Sequence, residues 1–304
     1  MTDSSSSLVS VGIPTYNRPA GLRRTLDYIT AQTYQNLEII VSDNASPDPE
    51  VENVAREFTN RDNRIRYYRQ EENKGAGFNF KFVLQQAHGE YFMWAADDDK
   101  WENFYIDQLV VSLASLGKGF IAANLEAQYI DENGHPFEFF AEGKSFYAFD
   151  SEVRYKRLEQ ILRHNYGNLV YSLYRAEVLQ KQNFIFVENE VPFLLQIIQH
   201  GNWKVLPSVG FYKKTTQPTY LQARWEMEGG YLNLDSAKQP LADKVRNFLY
   251  GFPYHKNALI SILKSIDSLN LERNDRLRLQ RLTRQLIWKH LLQVSVGYKR
   301  KPSP

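Results

Sequence analysis

Cysteine is absent from the 304-residue chain. That excludes a disulfide framework, a thiol nucleophile and any zinc site built on thiolates. It agrees with a reducing compartment, so a cytoplasmic location is expected. Long apolar runs are missing too, and none approaches the ~20 residues of a membrane-spanning helix. Met1 to Ser7 is polar and Ser-rich, without the basic and apolar regions of a secretory signal. Neither export by that route nor anchoring by a helix is expected. There is no Walker A loop. The glycines near residue 75 do not complete a dinucleotide fingerprint, because Phe80 stands where the third glycine belongs. Charge of one sign is scarce overall: 37 Lys and Arg oppose 35 Asp and Glu, leaving +2.

What is present is an ordinary globular composition, 43% hydrophobic and 24% charged, enough for one large domain or one domain with an appendage. The first ~130 residues alternate short apolar runs with helical spacing. Leu8–Ile13 is a β-branched run closed by Pro14. Arg18–Gln32 carries Leu22, Leu26 and Ile29 on one helical face. Leu37–Val41 is a second strand, Val51–Phe58 a helix, Ile65–Tyr68 a third strand, Phe78–Gln86 a helix and Tyr91–Ala95 a fourth strand. This order predicts an α/β fold: a Rossmann-like, mostly parallel sheet flanked by helices, with right-handed crossovers. Beyond residue 130, helices are expected at 151–164 and 190–200, a strand at 205–212, and a helical region from about 242 to 296.

In such sheets, ligands sit beyond the carboxyl ends of the strands. The residues delivered there are Pro14-Thr15-Tyr16-Asn17, Asp43-Asn44-Ala45-Ser46, Glu71 to Gly75, and Asp97-Asp98-Asp99. Three consecutive carboxylates repel one another unless a cation or solvent screens them. Hard divalent cations combine carboxylate oxygens with substrate phosphate. The triplet also reads as a solvated acidic turn capping a helix near Asn103. Asp43 reads either as an acceptor for a base or ribose, or as an Asx-turn. Asn73-Lys74-Gly75 reads either as a backbone approach to phosphate before a helix, or as a structural turn.

Taken together, these segments resemble family 2 glycosyltransferases of the GT-A fold. The resemblance rests on Ile13-Pro14-Thr15-Tyr16-Asn17, Asp43-Asn44-Ala45-Ser46, Asn73-Lys74-Gly75 with Asn79, and Gly89-Glu90-Tyr91 leading to Asp99. It is specific over about residues 8 to 110, weaker to 215 and absent beyond. It implies a glycosyltransferase domain over 1–215, with a nucleotide-sugar half (1–110) and an acceptor half (111–215), followed by a linker and helical region over 216–304. It also implies inverting, non-processive transfer of one sugar from a nucleotide-diphosphate sugar donor to a saccharide or lipid-linked acceptor, in bacterial surface polysaccharide or glycolipid synthesis.

By the same resemblance Pro14, Thr15, Tyr16, Asn17, Asp43, Asn44, Asn73, Lys74, Gly75, Asn79, Asp97 and Asp98 would line the donor. Asp99 and Asp97 would hold Mn²⁺ or Mg²⁺. The catalytic base, an Asp in many relatives, would be Glu190, with Glu188 the alternative; Glu188-Asn189-Glu190 opens an apolar helix. After Tyr212 the chain offers Lys213-Lys214 where relatives often place a basic residue and a His. Gln222-Ala223-Arg224-Trp225 is one residue short of a processive synthase motif. Two other readings remain. A sugar-phosphate nucleotidyltransferase would need a Gly-rich basic loop after the first strand. A non-catalytic nucleotide-sugar scaffold would keep Glu190 away from the acidic edge.

The C-terminal segment has its own pattern. Arg273, Arg276, Arg278, Arg281, Arg284, Lys289, Lys299, Arg300 and Lys301 accompany one acid, Asp275. Leu279, Leu282, Leu286 and Ile287 form an apolar stripe beside them. Residues 273–304 therefore suit either peripheral contact with the inner face of the plasma membrane or packing within the protein. Nucleic acid is not an expected partner, because the rest of the chain is acidic.

Overall fold

The computed structural model describes residues 7–131, 133–135, 149–164, 169–181, 190–214 and 256–297. Glu188, the segment 222–225 and the expected helix over 242–255 lie outside them. The chain divides into two compact units, Met1–Lys214 and Thr215–Pro304.

The first unit is built on an eight-stranded sheet. Its nucleotide-side half comprises β1 (Val9–Thr15), β2 (Leu37–Asp43), β3 (Ile65–Arg69) and β4 (Tyr91–Trp94), joined by α1 (Pro19–Thr30), α2 (Glu50–Arg61) and α3 (Ala76–Gln85). These four strands are parallel and lie in the order β3-β2-β1-β4. Every residue of β1 is buried, as expected for a strand covered on both faces. The expected spacing on α1 is realised: Leu22, Leu26 and Ile29 are fully buried, worth ~1.5–3 kcal/mol each. Pro19 opens that helix, where its missing N–H costs nothing.

The rest of the sheet is mixed rather than parallel. β5 (Lys100–Trp101) precedes α4 (Tyr105–Leu116) and β6 (Phe120–Ile130); α5 (Arg154–His164) and a 3-10 turn (Leu169–Tyr171) lead to β7 (Leu173–Arg175), α6 (Ala176–Gln180), α7 (Val191–Ile198) and β8 (Asn202–Lys214). β7 runs antiparallel between β4 and β6, β8 is parallel to β6, and β5 closes the edge antiparallel to β8. Two antiparallel pairings around β7 restore the direction of β6 and β8 to that of β4. The carboxyl ends of β1, β2, β4, β6 and β8 therefore share one edge.

Strand order reverses at β1. The chain steps outward from β1 to β3, then crosses back through α3 to β4 on the other side. The crevice outside the ends of β1 and β4 is the place such sheets bind ligands. Helix α1 packs against that place: a Cβ on Gly21 would stand 2.1 Å from the backbone oxygen of Asp97. Gly21→Ala must displace one or the other. Unfolding in urea should show a loss of about 1–3 kcal/mol, as for other overpacked sites. An unchanged midpoint would mean that α1 does not brace the acidic segment.

The second unit contains a helix over 256–268 (α8) and α9 (Arg273–Gly297). Leu279 and Leu282 are buried, as are Ile262, Ile266 and Leu269 of the preceding segment. Gln280 Nε2 donates to Asp267 Oδ1 at 2.7 Å across the turn between them. Leu279 and Leu282 of the apolar stripe are thus packing surface, while Leu286 and Ile287 are half-buried. Arg273, Arg278, Arg281 and Arg284 remain exposed. Among the described residues, no helix is long and apolar enough to cross a membrane.

Candidate active site

Strand β4 ends at Trp94 and releases Asp97-Asp98-Asp99 at the switch-point edge. The exit is fixed by Thr25, whose hydroxyl donates to the Ala96 carbonyl at 2.9 Å. Thr15, the last residue of β1, donates its hydroxyl to Asp97 Oδ2 at 2.8 Å. Arg18 Nη1 donates to Asp97 Oδ1 at 3.0 Å and to Asp98 Oδ2 at 2.9 Å. Burial raises the Asp97 carboxyl above its ordinary value, while Thr15 and Arg18 pull it back.

Asp99 is the most enclosed of the three, 5% exposed. Its Oδ1 accepts the Lys214 backbone N–H at 3.2 Å. Its Oδ2 is buried with no hydrogen-bond donor. The nearest cation is Lys213 Nζ, 3.8 Å away and lying over the Tyr171 ring at 4.8 Å. Burial pushes the Asp99 carboxyl up to about 7 against the pull of Lys213. Burial works against the Lys213 charge as well, but Tyr171, Asp99 and Asp98 outweigh it, so the ammonium stays protonated. The triplet does not cap a helix. Strand β5 intervenes, and α4 begins at Phe104 without a side-chain cap.

On the other side of β1, Asp43 is wholly buried. Its Oδ1 accepts the Ser46 N–H at 2.8 Å, closing an Asx-turn. Its Oδ2 accepts from the Tyr67 hydroxyl and from Arg69 Nη1. Burial and the neighbouring Asp43 charge push the Tyr67 phenol up to about 12. Asp43 therefore presents itself together with Arg69, whose side chain is 39% exposed.

The loops after β1 and β2 lock together here. Asn17 and Ala45 both adopt left-handed backbone, φ 55 and 60. Asn17 N–H donates to Ser46 Oγ at 2.7 Å, and Asn44 N–H to the Thr15 carbonyl at 3.0 Å. Such strain, of order 1–3 kcal/mol for a non-glycine residue, persists where the surroundings impose it.

A side-chain relay continues toward α3. Asn44 Nδ2 donates to Asn73 Oδ1 at 2.8 Å, and the Lys74 N–H donates to Asn44 Oδ1 at 3.1 Å. Gly75 follows with φ 83, a backbone shape that suits glycine, and α3 starts there. Asn79 Nδ2 donates to the Ser42 and Thr15 carbonyls at 2.8 and 3.3 Å, tying β1 to β2. Its Oδ1 is buried without a donor. Pro14 is buried within β1, while the Tyr16 ring is 43% exposed at the rim.

Glu190 stands at the first turn of α7, with Pro192 inside it. Burial pushes the Tyr171 phenol above its ordinary value, and Lys213 pulls against it.

Three neighbours of this edge escaped the sequence reading. Arg18 directly follows the Pro-x-Tyr-Asn segment and was assigned to a helix start. Arg69 could have been found from period-2 spacing with Tyr67 on the Asp43 side of β3. Tyr171 carries no local signal, because a three-residue turn places it.

Among the described residues, no group of three or more His, Asp or Glu side chains is arranged as a self-sufficient metal cage. Divalent-cation chemistry on a nucleotide does not require one. Mg²⁺ commonly takes one or two carboxylates plus phosphate oxygens and water. The donor-less Oδ2 of Asp99 is a hard oxygen of the type such a cation takes, whereas both oxygens of Asp97 are engaged by Thr15 and Arg18.

A parallel half-sheet that gathers polar residues at its carboxyl edge, extended by a mixed half-sheet and followed by helices, is the GT-A type of fold. The chain belongs to glycosyl transferase family 2, whose family profile matches residues 10–181. It is 36% identical over 128 residues to an uncharacterized glycosyltransferase of Rickettsia felis, covering 42% of this chain and 21% of that protein. It is 26% identical over 208 residues to the GalNAc(5)-diNAcBac-PP-undecaprenol beta-1,3-glucosyltransferase of Campylobacter jejuni, covering 67% and 64% of the two chains. Both alignments span less than two thirds of the relative's own length. Among solved structures, S. aureus TarS 1–349 in complex with UDP-GlcNAc superposes with a TM-score of 0.61 at 17% identity, over 91% of this chain and 72% of that one. That likeness is one of fold.

Proposed function

We propose that the chain transfers a single sugar from a nucleoside-diphosphate sugar to an acceptor hydroxyl, with inversion. The observation that carries this reading is the gathering of Thr15, Arg18, the Asp97-Asp98-Asp99 carboxylates and Lys213 at the switch-point edge. Asp43 with Arg69 would meet the base, Tyr16 would cover it, and Asn73-Lys74-Gly75 would follow the nucleotide. Asp99 and Asp97 would hold Mn²⁺ or Mg²⁺. When bound, such a cation supplies charge neutralisation for the leaving diphosphate. Lys213 adds a fixed positive charge beside the same group.

The acceptor oxygen attacks the anomeric carbon from the face opposite the nucleotide. The new C–O bond forms as the bond to the diphosphate oxygen breaks, and the hydroxyl proton passes to the Glu190 carboxylate. A single displacement of this kind inverts the anomeric centre.

The name of the C. jejuni relative points to a lipid-linked saccharide as acceptor class. Such an acceptor would bring the chain to the inner face of a membrane. There the exposed Arg273, Arg278, Arg281 and Arg284 suit anionic headgroups.

Thermal unfolding with UDP, GDP, dTDP and CDP, each with and without Mn²⁺, tests the reading. One nucleotide at a hundredfold excess over its Kd should stabilise the protein by ~2.7 kcal/mol, and more with Mn²⁺ than without. No shift with any of the four would overturn it.

A further inference from the structure

We infer that Arg18 is a resident counter-cation that holds the divalent-cation position of the acidic edge closed until the donor arrives. This rests on the cation reading given above. Both of its bonds come from one nitrogen, Nη1, which bridges an oxygen of Asp97 and an oxygen of Asp98. One of those oxygens belongs to Asp97, a carboxylate that the cation reading assigns to the metal, so Arg18 and the metal compete for Asp97.

The geometry also makes the arginine displaceable. Its side chain is 57% exposed, so it can swing away without breaking any core packing. An exposed ion pair of this kind is weak. It springs from the residue preceding α1, whose backbone is extended rather than helical, φ −135 and ψ 66. The lysine on the same edge differs. Lys213 is enclosed, lies 3.8 Å from Asp99 Oδ2 and makes no hydrogen bond to it. Asp99 thus offers a buried oxygen without a donor, while Asp97 beside it in sequence is held by an exposed guanidinium. An arginine released from Asp97 and Asp98 also has a new anionic partner at hand, the diphosphate that accompanies the metal.

The arrangement predicts that metal alone binds poorly and that metal and nucleotide bind together. The test is a titration of the full chain with Mn²⁺ alone, reading free Mn²⁺ by electron paramagnetic resonance. It is run on wild type, Arg18→Ala, Arg18→Lys and Arg24→Ala. Arg24 is an exposed position on α1, so its removal reports the long-range effect of one lost charge. Arg18→Ala should bind Mn²⁺ at least about fivefold tighter than wild type, while Arg24→Ala and Arg18→Lys stay near wild type. Thermal unfolding of each variant confirms that the fold is kept.

Equal or weaker Mn²⁺ binding by folded Arg18→Ala overturns the inference, as does an equal gain in Arg24→Ala. If wild type and Arg18→Ala bind Mn²⁺ equally and Asp99→Asn abolishes that binding, only the role of Arg18 falls. If no variant binds Mn²⁺, with or without nucleoside diphosphate, the cation reading falls and this inference with it.

Discussion

Glu190→Gln is expected to lower kcat by ~10²–10⁴-fold, the usual contribution of a positioned general base. Gln keeps the shape and the hydrogen-bonding reach of Glu but cannot accept the hydroxyl proton. The fold should survive. Glu190 makes no side-chain cap to α7, so the charge lost near the helix N-terminus is worth ~0.3–1 kcal/mol. The donor constant should barely move, because on the proposed reading the nucleotide would be held by residues on β1, β2, α3 and the acidic triplet. Transfer to acceptor and slow donor hydrolysis should be measured side by side. Both need a proton removed from the attacking oxygen, so both should fall together. A variant that turns over normally would move the base to Glu188 or to another group.

The parts legible in the sequence are those written in local signals. Strands β1 to β4 stand out because each apolar run is closed by Pro, Asn, Asp or Gly and followed by a 3.6-residue pattern such as Leu22, Leu26 and Ile29. The parallel rule then placed Thr15, Asp43 and Asp97 at one edge, and the register pairs Thr15 with Asp43 directly. The mixed half was not legible. Strand β5 has two residues and β7 three, too few to show a period, and their pairing is decided by partners more than a hundred residues away in β8 or more than fifty in β6.

Residues that act through others were equally hidden. Of the two readings that the sequence left open for Asp43, the structure shows the Asx-turn through Oδ1, while Oδ2 is taken by Tyr67 and Arg69. The stripe of α9 offered a membrane face and a packing face. The periodicity of Leu279 and Leu282 is the same for both, and only the structure shows them buried.

Asp99→Asn should abolish the Mn²⁺ dependence of nucleotide binding and also destabilise the protein. The first effect follows from losing the carboxylate of the triplet that has a buried, donor-less oxygen. An amide oxygen is a weaker ligand for a hard cation, and it does not balance the cation's charge. The second follows from Lys213, whose ammonium is left enclosed beside a neutral group. Breaking a fully buried pair costs ~3–5 kcal/mol. Lys213 keeps 25% of its side chain exposed and Asp98 remains nearby, so about 2 kcal/mol is expected when stability is read well above pH 7, where the Asp99 carboxyl, raised to about 7 by burial, carries its charge. The two effects separate in a double variant. Asp99→Asn with Lys213→Met removes both charges, and the stability should return toward wild type, as it does when buried pairs are replaced by neutral groups. Metal-dependent binding should stay lost. Urea unfolding and nucleotide titration with Mn²⁺ on all four members of the cycle give both numbers. Mn²⁺-dependent affinity that persists in Asp99→Asn would sink the assignment of Asp99 as a metal ligand. Stability changes that simply add would show that Lys213 and Asp99 are neighbours without being partners, and the leaving diphosphate would then have to find its fixed positive charge elsewhere on this edge.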